Sequence, residues 1–426
     1  MKRDKFLKNL GLMSGAMLAG TPIVAKAGSM QPLQPGWPDP ADPDPWSQLR
    51  QHFLFANDLT YLNTGGIGPV PSLVMNHVNK IWLETEKHPS PGHDAGEWNQ
   101  IRADCAPLFG PSCTPDQIAL ISCATEGINI ILNGLDLKPG DEVISSSHEH
   151  PALNIPLLNQ ANHNGVKVKF FEPDTILATG NTRRIEALIS PRTRLIFISH
   201  ITCSTGQIFP LKDIGLLAKR HNILLAVDGA QSAAALPFDL QDLGVDFYTC
   251  SGHKWILGPK RTGILYVAAD KLPVLRPTTV GAYSDQAHDI RTGSLKFQDS
   301  AQKYEFGTQN EALFRGLGKA ARFVQSIGID RIHSHNRDLA ETLVKGLAEI
   351  PRVKILSPEE EAWRSSIISF SAEGKSANEI STALNNKRIR VRVVNEGGLD
   401  GIRVSFHLYN HNGEVDQLLD ALREIL

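Results

Sequence analysis

From residue 117 onward the chain alternates short apolar runs with longer helical stretches. The runs are Gln117–Ile121, Glu142–Ile144, Lys167–Phe171, Leu195–Ser199, Ile223–Val227, Asp246–Thr249 and Gly263–Val267. Apolar runs this short, bounded by helices, predict an α/β fold with a mainly parallel sheet covered on both faces. Ligands to such sheets bind outside the carboxyl ends of the strands. At 426 residues the chain is too long for one ordinary core. Past Gly307 the pattern changes. Ala312–Ile327 and Ile329–Ile350 read as amphipathic helices, Val353–Leu356 and Ser366–Ser371 as strands, and Ala377–Asn385 as a helix. A strand near Arg403–Phe406 and a terminal helix, Glu414–Leu426, follow. The expected organisation is a large domain over 61–306 and a smaller α+β domain over 307–426. Residues 45–60, with a short helix over Trp46–Phe55, join the small domain.

The strand ends carry the chemistry. Ile223–Val227 delivers Asp228 of Asp228-Gly-Ala-Gln231, and the next strand delivers Ser251-Gly-His253-Lys254 into a loop. An acid on one strand end and a lysine on its neighbour suit pyridoxal phosphate. The lysine attaches the cofactor, and the acid keeps the pyridine nitrogen protonated so that the ring takes up carbanion electrons. Ala124-Thr125-Glu-Gly precedes a helix over Ile128–Leu135. It reads either as a phosphate cradle at a helix start or as a plain N-cap. In His148-Glu149-His150-Pro-Ala an imidazole can stack on a conjugated ring; the two histidines alone are a weak metal pair. Asn63-Thr-Gly-Gly-Ile-Gly-Pro69 lets backbone approach a ligand or another chain closely.

Together these motifs resemble the class V branch of fold-type I pyridoxal-phosphate enzymes. Ala124-Thr-Glu-Gly, Glu149-His-Pro-Ala, Asp228-Gly-Ala-Gln, Ser251-Gly-His-Lys, Gly307-Thr and Arg403-Val-Ser stand in the family's order and spacing. The resemblance covers the chain from about Leu59 to its end. It implies that Lys254 holds the cofactor and moves the α-proton, that Asp228 pairs with the ring nitrogen, and that Gln231 faces the phenolic oxygen. It implies His150 against the ring and Ala124, Thr125, Ser251 and His253 at the phosphate. Thr308 is expected to reach the phosphate of a neighbouring subunit, which makes the protein a homodimer with shared sites. Arg403 is expected to clamp a substrate carboxylate, with Asn63 beside the substrate.

Two departures shape the functional reading. His200-Ile-Thr-Cys203-Ser replaces the family's usual Asn beneath the ring, leaving Thr202, Cys203 and Ser204 as alternatives for that contact. No cysteine follows Cys250, so the loop Val393–Asp400 lacks the persulfide-forming thiol of the cysteine desulfurases. The expectation is an enzyme acting at the α-carbon of an amino acid or an amino-acid-containing metabolite, closest to the isopenicillin N epimerase-like group. Epimerase, transaminase and lyase chemistry remain open. The alternatives are a C–S or β-lyase without the persulfide cysteine, and a non-catalytic cofactor-binding scaffold. A hydrolase is disfavoured because no Gly-x-Ser-x-Gly elbow is present.

The first residues suggest export. Met1–Lys8 is basic, Leu10–Val24 modestly apolar, and Ala25-Lys-Ala27 offers small residues for cleavage, so 1–27 reads as a signal and 28–44 as a Pro-rich linker. Phe6-Leu7-Lys8 is similar to a twin-arginine signal, but Asp4 stands where an arginine is expected. A periplasmic location is expected, with the cytoplasm as the alternative. The mature chain has no stretch that reads as a membrane span. A net charge of −2 and no long basic run argue against nucleic acid as a partner. The 5 cysteines show neither disulfide nor metal spacing.

Overall fold

A computed structural model describes residues 44–426 apart from 57, 90–93 and 176–177. Residues 1–27, read from the sequence as an export signal, and nearly all of the Pro-rich stretch lie outside the described residues. Each apolar run between 117 and 267 becomes a strand of one 7-stranded sheet. Across the sheet the order is Ile118–Ile121, Gly263–Val267, Phe247–Ser251, Leu224–Asp228, Thr193–Ser199, Glu142–Ser146 and Lys167–Phe171. From Phe247–Ser251 to Lys167–Phe171 all neighbours are parallel. Gly263–Val267 runs antiparallel to both of its neighbours. The link from Ser251 to Gly263 holds no helix, and a parallel return needs a longer crossover. Val227, Ile198, Ile144 and Leu225 are fully buried, which is why these strands read as continuous apolar runs rather than alternating ones.

A second sheet has 4 strands, all antiparallel, in the order Val353–Ile355, Ile367–Ala372, Gly401–Ser405, Arg392–Val394. Its two faces are chemically distinct, as the period of two requires. Ile368, Phe370, Ile402 and Val404 pack on helix residues Leu339, Leu343, Ile380, Leu384, Leu418 and Leu422. Ser369 and Arg403, between them, point the other way. Ser369 Oγ donates to the Ser204 carbonyl and Arg403 Nη1 to the Cys203 carbonyl, so this face closes on the loop after Thr193–Ser199.

Some segments differ from expectation. The helix predicted over Trp46–Phe55 spans Pro45–Arg50 and ends in turns. The helix expected over Ile128–Leu135 starts earlier, at Ala124, and ends at Gly134. Helices Ser72–Lys87 and Ala95–Cys105 were not expected. Neither was the hairpin Asp285–Asp289/Ser294–Phe297, whose tip residue Ile290 is 93% exposed. Among the described residues no helix is long and apolar enough to cross a membrane.

Buried histidines make stability depend on pH. Burial pushes His200 down to about 3 and His335 and His407 to about 4, from an ordinary 6.5. The unfolded chain therefore binds protons that the fold refuses. The stability is complete above pH 6.5 and is lost as pH falls towards 4. Glu149, Asp228, Asp246 and Glu305, whose carboxyls burial raises, act in the opposite sense, but they are 4 against 9 histidines lowered by burial among the described residues. We expect the urea midpoint to fall on acidification from about pH 7 to about pH 5. An unchanged midpoint would show that these rings are protonated in the fold.

Candidate active site

The carboxyl ends of the central strands and the polar face of the small sheet enclose one cavity. Its wall contains Ala124, Thr125, His150, Asp228, Gln231, Ser251, His253, Lys254 and Arg403. Nine residues chosen from sequence thus converge on one space. Gly65, Gly66, Cys123, Cys203 and Arg392 also line it; Gly65 and Gly66 belong to the glycine-rich run and Cys203 to the three alternatives beneath the ring, whereas Cys123 and Arg392 were assigned no site role from the sequence.

Local structure fixes the lysine loop. Gly252 N donates to Thr262 O at 2.8 Å, Gly258 N to Gly252 O at 2.8 Å, and Gly68 N to His253 O at 2.7 Å. A Cβ on Gly68 would come within 2.0 Å of the Lys254 carbonyl, so only glycine lets the 63–69 loop lie against the lysine. Lys254 is half-buried in the cavity wall. Burial lowers its pKa, opposed by Asp228 and assisted by Arg403. Asp228 Oδ1 accepts from Ala230 N at 2.9 Å. Burial raises its carboxyl, and Lys254 opposes that. In both residues desolvation favours the neutral form, and the opposite charge of the other partly restores the ionised one.

At the other end, Ala124 opens the helix Ala124–Gly134, with Thr125 in its first turn. Ala124 N donates to Ser251 Oγ at 3.0 Å, which ties the helix start to the lysine strand. His253 Nδ1 is buried without a hydrogen-bond partner among the described residues. A helix start, hydroxyls and an unpaired imidazole nitrogen make an anion cradle, so the residues present fit a phosphate.

His150 is the N-cap of the helix Pro151–Asn164, its Nδ1 accepting from Ala152 N at 3.1 Å. Burial, and secondarily Lys254, pushes its pKa down to about 4. The ring is therefore neutral near pH 7, with its proton on Nε2. His148 instead turns to Glu172, at 3.1 Å. Among the described residues no cluster of His, Cys, Asp or Glu could hold a metal ion.

Gln231 donates from Nε2 to Gly65 O and accepts at Oε1 from Trp255 Nε1, both at 2.9 Å. One amide N–H is left for the cavity. Arg403 is 1% exposed and donates to Cys203 O at 2.9 Å and Asn63 Oδ1 at 3.1 Å. Asn63 thus holds the guanidinium. Of the three alternatives beneath the ring, Cys203 lines the cavity. Thr202 Oγ1 is taken by Thr205 and Gln207 N. Burial raises the Cys203 thiol to about 12. Thr308 lies away from the cavity, exposed in a groove with Trp82 and His88.

Glu149 was quoted only as part of a motif, yet it anchors the strand ends. It is fully buried and accepts from Ser146 Oγ at 2.6 Å and Ser199 N at 3.1 Å, with Ser199 Oγ also bonded. Ser199 is the register partner of Asp228. Burial raises the Glu149 carboxyl to about 7.

The Aminotransferase class-V family profile matches residues 63–418. A protein named Probable cysteine desulfurase from Mycolicibacterium paratuberculosis is 33% identical over 342 residues, covering 77% of this chain and 49% of that protein. This chain therefore spans about half the length of that relative. The cysteine desulfurase of Salmonella agona is 30% identical over 324 residues, covering 73% of this chain and 78% of that one. Among solved structures, the cystine C–S lyase C-DES in complex with cysteine persulfide superposes with a TM-score of 0.79 at 28% identity, covering 87% and 98% of the two chains. A C-DES variant with glycine linked to its pyridoxal phosphate cofactor gives 0.80 at 27%, covering 88% and 99%. The epimerase subgroup is not among these relatives. With the lysine, acid and phosphate cradle gathered at the strand ends, the chain belongs to the class V aminotransferase family of fold-type I, pyridoxal-phosphate-dependent enzymes.

Proposed function

We propose that this enzyme is a C–S lyase that eliminates the sulfur substituent of a cysteine-type amino acid without forming a persulfide on the protein. The carrying observation is a cavity that joins Lys254, Asp228 and Arg403, while the Val393–Asp400 loop holds no thiol and Cys123 sits at the phosphate end as the cap of the Ala124–Gly134 helix. The cavity's cysteines are Cys123 and Cys203, and Cys203 is kept protonated by burial; a buried thiol of this kind is inert. The cysteine desulfurases and the C–S lyase among the relatives favour this chemistry over epimerisation.

Pyridoxal phosphate, when bound, supplies a conjugated ring that accepts the electron pair released at the α-carbon. Lys254 Nζ holds the cofactor and then takes the α-proton; burial, which lowers its pKa, favours the free amine that this needs. Asp228 holds a proton at the ring nitrogen. Arg403 fixes the α-carboxylate and so decides which α-carbon bond stands perpendicular to the ring. The Cβ–S bond then breaks, and sulfur leaves with the electron pair. His150 Nε2–H offers the departing sulfur a hydrogen bond, and the proton it takes up comes from Lys254, which holds the one removed from the α-carbon. The three-carbon fragment takes up water and ends as pyruvate and ammonia. The proposal includes a homodimer, in which Thr308 serves the neighbour's phosphate, and export of the folded chain.

Incubation with cysteine and S-alkylcysteines should yield pyruvate and thiol in equal amounts, with no persulfide trapped on the protein. Exchange of the α-hydrogen in D2O without pyruvate would replace the lyase reading with epimerisation. A trapped protein persulfide would refute it outright.

A further inference from the structure

A second guanidinium faces the cavity. Arg392 lines it together with Arg403, and the two are direct register partners on neighbouring antiparallel strands. Residues opposite each other across such a pair project from the same face, and like charges there are destabilising. A chain selected for stability alone would not place two arginines so. Arg403 is committed to Cys203 O and Asn63. Arg392 pairs through Nη2 with Glu396, while its Nη1 is buried without a partner among the described residues. Glu396 follows the strand in the Glu396–Gly398 turn, where Gly397 and Gly398 adopt φ of 65° and 74°. The internal carboxylate thus neutralises and orients Arg392 from the lip of the site. With Lys254, Arg392 and Arg403 against Asp228 and Glu396, the set carries more positive than negative groups.

We propose that Arg392 is a second anion contact, taking a carboxylate at the far end of the substrate's side chain. The preferred substrates are then cysteine derivatives whose sulfur carries an acidic group, rather than free cysteine. This rests on the reading of the cavity as an amino-acid site. It does not depend on which bond is broken there. Glu396 is the group that the incoming carboxylate displaces.

The test compares S-carboxymethylcysteine with S-ethylcysteine, which differ by a carboxylate in place of a methyl group. Binding to the purified holoenzyme is read by calorimetry and by the shift of its visible absorbance band. The acidic ligand should bind about 10- to 100-fold more tightly, as expected of one charge-assisted contact. Arg392→Met should erase the difference while binding S-ethylcysteine within a few-fold of wild type. Glu396→Gln leaves Arg392 in place and removes its competitor, so it should tighten the acidic ligand alone. Equal affinities in the wild-type enzyme would overturn the proposal, as would an Arg392→Met variant that weakens both ligands equally. Pyruvate formation is measured in parallel. A preference for the acidic ligand without pyruvate sinks the lyase reading and leaves the anion contact standing. Pyruvate without a preference does the reverse.

Discussion

Lys254→Ala should lose turnover by at least about 10³-fold, within the range expected when a positioned proton carrier is removed, and should lose covalent cofactor altogether. The substitution leaves the backbone that positions the loop untouched. The Gly252, Gly258 and Gly68 hydrogen bonds are all made by main-chain atoms. The variant should therefore fold, and pyridoxal phosphate should still be held by the phosphate cradle around Thr125, Ser251 and His253. Borohydride reduction and peptide mapping give the direct readout. In the wild-type protein the pyridoxyl label should sit on Lys254 and on no other lysine; in the variant no peptide should carry it. A label elsewhere would move the site. Retained activity with the label lost would show that the amine is not the proton carrier.

The reach of the sequence follows from how each residue is placed. Asp228, Ser251, His253 and Lys254 stand directly after buried strands, and a buried strand is visible as an apolar run. Their convergence then follows from the rule for strand ends. Arg403 was found through resemblance. Its own strand is bounded by the same alternation that sends Ile402 and Val404 into the small core. Arg392 was missed although Arg390-Val-Arg392-Val alternates at the period of a strand. The charges masked a run with only two apolar positions. Cys203 and Gly65 enter the cavity through loops brought there by tertiary packing, on the Arg403 guanidinium in both cases. The glycine-rich run at 63–69 signalled a close approach around Gly65, whereas nothing local separated Cys203 from Thr202 and Ser204. The helix Ser72–Lys87 buries only Ser72, Val74 and Val78, too narrow a stripe for a clear period. The polar hairpin at 285–297 has no apolar alternation, and only Thr292-Gly293 marks its turn.

The second large effect is expected at Asp228. Asn at this position keeps the volume and an oxygen for Ala230 N, so the strand end and the Ser199 register should persist. What it removes is the negative charge. In wild type burial disfavours that charge and Lys254 favours it. The charge is what holds a proton on the ring nitrogen, because a charge in a site closed to water acts far more strongly than one in solvent. Asp228→Asn should therefore retain cofactor and its visible band while kcat falls by about 10²- to 10³-fold, the size of effect seen when one fixed electrostatic partner is lost from an enclosed site. Loss of the charge and damage to the fold predict different responses to an altered cofactor. Pyridoxal phosphate methylated at the ring nitrogen carries a permanent positive charge and needs no acid to maintain it. Loaded into Asp228→Asn, it should restore a substantial part of the lost rate. In wild type the methyl group meets the carboxylate directly and should bring no gain. If the methylated cofactor binds Asp228→Asn and the rate stays low, the carboxylate does not act through the ring nitrogen, and the assignment of Asp228 falls.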